Sequence, residues 1–137
     1  MSPSERERFD RLLEQVLDGL PAPLRALLDE SPLVVEDRPS RALLDAMGFE
    51  EGDDLCGLHE GLARTERSVE HPQLPDVITL FRRGIVELAG GWTEHEEEGE
   101  RLGGEDAVRE EIRVTLLHEM GHHFGLDEDD LDRLGYA

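Results

Sequence analysis

Residues 115–131, TLLHEMGHHFGLDEDDL, place three histidines within six positions and then run into four consecutive acidic residues. Together with the preceding segment EDAVREEIRV they predict one long helix, with acidic residues at its N-terminus, where the helix dipole favours them. Gly125 is the predicted C-terminal end of this helix. Its apolar residues recur every four positions and predict a buried face, made of Ile112, Leu116, Met120 and Phe124.

The opposite face carries the sequence His-Glu-x-x-His, formed by His118, Glu119 and His122. At ~100° per residue, His118 and His122 are separated by only about 40° around the helix axis, so both imidazoles can reach one metal ion. Glu119 is rotated about 100° from His118, where it can hydrogen-bond a metal-bound water and act as general base. His123 points away from His122, so we expect it to pack or to support the site from behind.

A catalytic zinc ion needs three protein ligands and one open position. Gly125 permits a left-handed turn that brings the chain back toward the metal, and Glu128 stands ten residues after His118. The spacing reads His-Glu-x-x-His-x-x-Gly-x-x-Glu, so Glu128 is the predicted third ligand of one catalytic Zn²⁺. A shift of one residue in the turn would give that role to Asp127 or Asp129.

This arrangement predicts a zinc metallopeptidase. Two neutral imidazoles and one carboxylate leave a net charge near +1, which can lower the pKa of bound water toward about 7. Glu119 would take the proton as hydroxide attacks a peptide carbonyl, and would pass it to the leaving amine. Tyr136, His123 and Arg82 are candidates for a second electrophilic donor. The alternatives are a non-proteolytic zinc-binding regulatory or adaptor module, and an acidic interaction domain whose histidines bind nothing.

Composition and net charge limit the classes of molecule that this chain is expected to bind. The 137 residues fit a single domain, 1–137. The net charge of −20, from 34 acidic residues against 14 Lys and Arg, disfavours nucleic acid and membrane surfaces as partners. The expected partner, a peptide or protein substrate, follows from the zinc motif. Cys56 is the only cysteine, which excludes a disulfide framework and a thiolate-rich zinc site. The N-terminus lacks a signal-peptide pattern and no apolar run is long enough to span a bilayer, so we expect a cytoplasmic protein.

The remaining segments predict an α+β chain. Ser2 or Ser4 is the candidate cap of an amphipathic N-terminal helix that extends to about Leu20. Residues 24–28 predict a second short helix or a continuation of the first across a kink. Strands are predicted at residues 33–36, 58–63 and 77–81, and a short helix at 40–47. The segment GGWTEHEEEGERLGGED is predicted to be an exposed, mobile loop. Asp127 or Asp129 is the candidate cap of a last short helix.

The chain resembles the small bacterial zincin-like metallopeptidase family, the minimal zincins. The resemblance lies in FDRLLEQVLDGLP, VVEDRPS, LCGLHEGLARTE, LPDVITLFRR and the terminal LLHEMGHHFGLDEDDLDRLGY. It implies a compact zincin-like fold, in which a small mixed β-sheet packs on N-terminal helices and a C-terminal active-site helix, and it implies peptidase activity. His118 and His122 match the family's metal ligands, Glu119 its catalytic glutamate, and Glu128 its third ligand, which is normally Asp.

Two features depart from larger zincins. Metzincins carry a methionine turn downstream of the zinc motif, whereas the methionines here are Met1, Met47 and Met120. In larger zincins the substrate binds along an edge strand, and DVITLFRR is the likeliest candidate for that strand, unless it is central in the core. Because the C-terminal subdomain of larger zincins has no counterpart here, we expect that substrates are held weakly or that an oligomer or a protein partner completes the cleft.

Overall fold

The computed structural model describes residues 1–42, 57–60 and 77–133, with the main chain alone described for 57–60, 128, 131 and 132. These residues form an α+β fold, as predicted. In chain order the elements are α1 (Pro3–Asp18), α2 (Ala22–Leu28), β1 (Leu33–Glu36), β2 (Gly57–Glu60), β3 (Val77–Phe81), α3 (Arg82–Ala89), β4 (His95–Glu97), β5 (Glu100–Leu102), α4 (Glu105–Phe124) and α5 (Glu128–Arg133).

The N-terminal helix α1 begins at a capping box. The Glu5 backbone N–H donates to Ser2 Oγ at 3.2 Å, and the Glu5 carboxylate accepts from the Ser2 N–H at 3.4 Å. Ser2 is therefore the cap, and Ser4 is not. Pro21 separates α1 from α2, and the buried face of α1 consists of Phe9, Leu12, Leu13 and Val16.

The main sheet has the strand order β1-β3-β2. β1 runs parallel to β3, with Leu33 opposite Ile78, and β2 runs antiparallel to β3, with Gly57 opposite Leu80. The predicted bounds of β1 and β3 are confirmed. Because β3 is hydrogen-bonded on both sides and four of its five residues are buried, it is central and cannot be the edge strand that receives a substrate.

Two other predicted elements lie only partly within the described residues. The strand predicted at 58–63 is present as β2 through Glu60, and its remaining residues lie outside the described part. The helix predicted at 40–47 is described only to residue 42. Among the described residues, no helix is both long enough and apolar enough to cross a bilayer.

The long helix α4 is the centre of the fold and packs against α1, α3, β2 and β3. Its predicted apolar stripe is confirmed, since three of its four side chains are completely buried and Phe124 is only 7% exposed. Burying one such side chain contributes roughly 1.5 to 3 kcal/mol. The face of α4 that carries His118 and His122 is turned away from the core.

The helix α3 was not predicted. Its residues continue the apolar run of β3, and the β-branched Ile85 next to Val86 favours a strand reading. The structure instead buries Ile85, Val86 and Ala89, which share one helical face, and Gly90 ends the helix in the left-handed conformation at φ 100°. Tertiary burial of this face overrides the local strand propensity.

The segment predicted to be a loop forms a hairpin, which corrects that prediction. β4 pairs antiparallel with β5, with Glu97 opposite Glu100. Both turn residues have positive φ, 51° at Glu98 and 84° at Gly99, as a type I′ turn requires. Glutamate is uncommon at positive φ, so the turn signal is weak in the sequence. The predicted exposure holds for both strands apart from half-buried Leu102.

At the two ends of this hairpin, glycines allow the backbones to approach closely and to form hydrogen bonds with each other. The Gly103 N–H donates to Ala89 O at 2.9 Å, and the Gly104 N–H donates to Gly91 O at 3.0 Å. A Cβ at Gly90 would lie 2.7 Å from Gly103 N, so only glycine permits this approach of the two backbones. The end of α3 and the residues just before α4 are therefore joined by direct backbone hydrogen bonds.

Candidate metal centre

His118 and His122 lie side by side on the exposed face of α4. Their ring centroids are 4.2 Å apart and the ring planes are inclined by 53°. Both side chains are exposed to solvent. The structure thus brings together the two imidazoles that the spacing predicts to share a face, and it leaves them accessible to an ion.

Glu119 lies between these residues in sequence and has a different environment. It is only 8% exposed, although its neighbour His118 is exposed. Glu119 is therefore sheltered from solvent, unlike a typical glutamate on a surface helix. The helix therefore presents two accessible imidazoles with a sheltered carboxyl group beside them.

His123 is on the buried side of α4, as predicted. It is 0% exposed, its Nε2 and Ser31 Oγ are hydrogen-bonded at 2.7 Å, and its ring stands edge-on to Phe124 with centroids 4.6 Å apart. A ring enclosed in this way does not face the His118–His122 pair. The structure therefore gives no support to His123 as an electrophilic donor.

Immediately after α4 the chain reverses at Gly125, whose φ of 67° and ψ of 35° are left-handed, as predicted. The turn is closed by the Leu126 N–H, which donates to Gly121 O at 2.8 Å. Two reciprocal hydrogen bonds then start α5: the Asp130 N–H donates to Asp127 Oδ1 at 2.8 Å, and the Asp127 N–H donates to Asp130 Oδ2 at 3.0 Å. Asp127 is thus the cap of the last helix.

This cap bears on the choice of third ligand. Hydrogen bonding from the Asp130 backbone lowers the pKa of the Asp127 carboxyl, and that carboxylate already serves the helix terminus. Asp129 is exposed within α5, and Glu128 is the first residue of α5, with its side chain outside the described part. Among the described side chains, no three potential ligands converge on one point. The two imidazoles and the acidic turn nevertheless fit the donor chemistry of zinc.

Arg82 is committed elsewhere, which argues against it as an electrophilic donor. Its Nε and Nη2 donate to the two carboxylate oxygens of Asp10 at 3.0 and 3.1 Å, and its Nη1 donates to Asp37 Oδ1 at 3.0 Å. Arg6 Nε donates to the other oxygen of Asp37 at 2.8 Å. These contacts connect α1 and α3 with Asp37, the residue that follows β1. Tyr136, the third candidate, lies outside the described residues.

Val114 is a candidate substrate contact that the sequence patterns did not indicate. It is 45% exposed, an unusual position for a large apolar side chain in this fold. It precedes His118 by four residues, so it lies one turn away on the same face of α4. Helical spacing alone could have placed it there. Its exposure gives an apolar surface next to the imidazole pair.

A His-Glu-x-x-His helix packed beside a small mixed sheet is the arrangement that defines zincins. The chain belongs to the zincin-like metallopeptidase family, whose sequence profile matches residues 28–136. The resemblance predicted from the sequence is thereby confirmed, and membership implies a zinc cofactor and a peptidase class of activity. Comparison with curated proteins gives no significant match.

Proposed function

We propose that this protein is a zinc-dependent peptidase in which His118, His122 and Glu128 hold the ion and Glu119 is the general base. The observation that carries the proposal is the accessible His118–His122 pair, 4.2 Å between ring centroids, with the sheltered Glu119 next to it. Zinc bound there would activate water and polarise the scissile carbonyl. Glu119 would accept a proton from the attacking water and return it to the leaving amine.

The sheet supports an extended peptide as the substrate. β2 packs beside α4 and, within the described residues, has β3 as its one strand neighbour. An extended peptide can pair with the backbone of such a strand while its scissile bond reaches the exposed face of the helix. We therefore propose β2, and not β3, as the strand that pairs with the substrate. The partner class proposed is an unstructured peptide or protein segment.

The test combines metal content with turnover. Protein purified without added metal is analysed for zinc, and cleavage of an unstructured protein such as casein is compared between the native chain and Glu119→Gln. A matched control is Glu110→Gln, because Glu110 is an exposed glutamate on the same helix. We expect Glu119→Gln to lower kcat by about 100-fold or more, with zinc content retained and Glu110→Gln unaffected.

Equal turnover by the native chain and Glu119→Gln would eliminate Glu119 as the base. Stoichiometric zinc without any turnover would favour the alternative, a regulatory or adaptor module that retains the metal centre. Absence of zinc after metal-free purification and dialysis against zinc would overturn both.

A further inference from the structure

A buried polar pair lies at the last turn of α4, next in sequence to the proposed ligand His122. Ser31 is 2% exposed and His123 is 0% exposed, and their side chains are hydrogen-bonded at 2.7 Å. The bond connects the last turn of α4 with the segment between α2 and β1, 92 residues away in sequence. The zinc motif itself assigns no role to either residue.

The Ser31–His123 bond restrains the end of α4, a part of the helix that opens easily. The last turn of a helix has carbonyl groups without intrahelical partners and is the part that opens most readily. His122 lies in that turn of α4, next to His123 and two residues before the helix ends at Phe124. Since adjacent residues share a peptide plane, fixing the ring of His123 restrains the backbone from which the His122 imidazole projects.

The other end of the bond is anchored in the sheet. Pro32, which follows Ser31, accepts a hydrogen bond from the Ile78 N–H at 3.1 Å, and Ile78 lies in the central strand β3 with no exposed surface. Ser31 is thereby next to a residue that is hydrogen-bonded to the central strand. Because Ser31 is held next to the sheet, its hydrogen bond to His123 restrains the motion of the end of α4 relative to the sheet.

We propose that the Ser31–His123 hydrogen bond positions His122 beside His118, which makes Ser31 and His123 positioning residues of the metal centre. The inference rests on the proposed function for the identity of the ion, but the restraint itself is a property of the metal-free protein. Partners that orient metal ligands commonly change metal affinity by about 10- to 100-fold when they are removed.

The test uses Ser31→Ala, His123→Phe and the double variant in the full chain. His123→Phe keeps an aromatic ring against Phe124 and removes the ring nitrogen. Zinc affinity is measured by competition with a chromophoric chelator, beside the Tm of the metal-free protein. The matched control is Val16→Ala, a truncation in the buried face of α1 that lowers Tm without touching this bond.

We expect each single variant to lose about 10-fold or more in zinc affinity, and the double variant to lose no more than the larger single loss, because all three remove the same bond. Val16→Ala should lower Tm and change zinc affinity by less than about twofold. Unchanged affinity in Ser31→Ala, or an equal loss in Val16→Ala, would overturn the proposal and leave the pair a purely structural contact.

Hydrogen exchange of the metal-free protein separates this inference from the proposed function. We expect the amides of the last turn of α4 to exchange about 10-fold faster in Ser31→Ala, with the middle of the helix unchanged. If the native chain binds no zinc, the proposed function fails, while faster exchange of this turn still supports the restraint. Unchanged exchange would overturn the restraint even if zinc binds normally.

Discussion

The imidazoles of His118 and His122 lie 4.2 Å apart, between ring centroids, on a face of α4 that contributes nothing to the core. Their proximity follows from their four-residue spacing on the helix and involves no burial of the two rings. Because both side chains are exposed, their contribution to the stability of the metal-free protein should be small, whereas their contribution to a metal complex should be large. The two properties can be measured separately.

Replacing either histidine with alanine should abolish zinc-dependent stabilisation and leave the metal-free protein almost unchanged. Surface substitutions alter stability by about 0.5 kcal/mol or less, whereas zinc at about 100 times its Kd adds about 2.7 kcal/mol to a protein that binds it. Thermal melts of His118→Ala and His122→Ala with zinc and with chelator measure both effects. The control is His95→Ala, an exposed histidine in the hairpin. Full zinc stabilisation of His118→Ala would refute the ligand assignment.

The three acidic candidates for the third ligand should separate cleanly. Glu128→Gln should weaken zinc binding most, with little change in the stability of the metal-free protein. Asp127→Asn retains a competent helix cap, whereas Asp127→Ala should lose about 1 kcal/mol because the hydrogen bond to the Asp130 N–H disappears. Asp129→Asn should change neither property. Zinc titration and chemical denaturation distinguish these outcomes, and a dominant loss of affinity in Asp129→Asn would reassign the ligand.

Val114 should influence which peptides are cleaved, if the proposed function holds. An apolar side chain, 45% exposed and one turn before His118, can contact a substrate side chain next to the scissile bond. Val114→Thr conserves shape and removes apolar surface, so kcat/KM should fall by about 10-fold for peptides with an apolar residue at that position and less for polar ones. Leu88→Thr, which alters a 64% exposed side chain on α3, is the control. An unchanged preference would exclude Val114 from the cleft.

The ion-pair network around Asp37 predicts acid sensitivity. Hydrogen bonding from Arg6, with a further bond from Arg82, lowers the pKa of Asp37 from its ordinary value of 3.8. As pH falls, Asp37 is consequently protonated at a higher pH in the unfolded chain than in the folded chain. Its contribution to stability is complete above the pKa of the unfolded chain and is lost as pH falls through the pKa of the folded chain. Asp37→Asn should cost about 1 kcal/mol at neutral pH.

Urea denaturation from pH 6 down to pH 3 measures this effect. The native chain should lose more free energy of unfolding over this interval than Asp37→Asn, because the variant has already lost the contribution. Asp106→Asn, which changes a carboxylate whose side chain is 92% exposed, should retain the acid response of the native chain. Identical acid responses of the native chain and Asp37→Asn would contradict the assignment.

The sequence was most informative where one pattern served two purposes. In α4 the apolar stripe predicted burial of Ile112 and Met120, and the same periodicity placed His118 and His122 on the opposite face. It was least informative where tertiary contacts overrode local preference, as in α3, whose Ile85 and Val86 favour a strand. Spacing alone could not choose among the acidic residues after Gly125, since a turn can shift by one residue. The structure identifies Asp127 as a cap, a role that depends on the three-dimensional course of the chain.

Gly90, Gly91, Gly103 and Gly104 form a glycine junction, at which the end of α3 contacts the residues just before α4. The Gly103 N–H donates to Ala89 O and the Gly104 N–H donates to Gly91 O, so the two helices are held together by direct backbone hydrogen bonds as well as by the chain of the hairpin. We therefore expect changes of length or charge at the hairpin turn, Glu98 and Gly99, to displace the histidines on α4 little. For protein engineering, the same junction is a place to graft a recognition segment onto a metal-binding helix while the core stays intact.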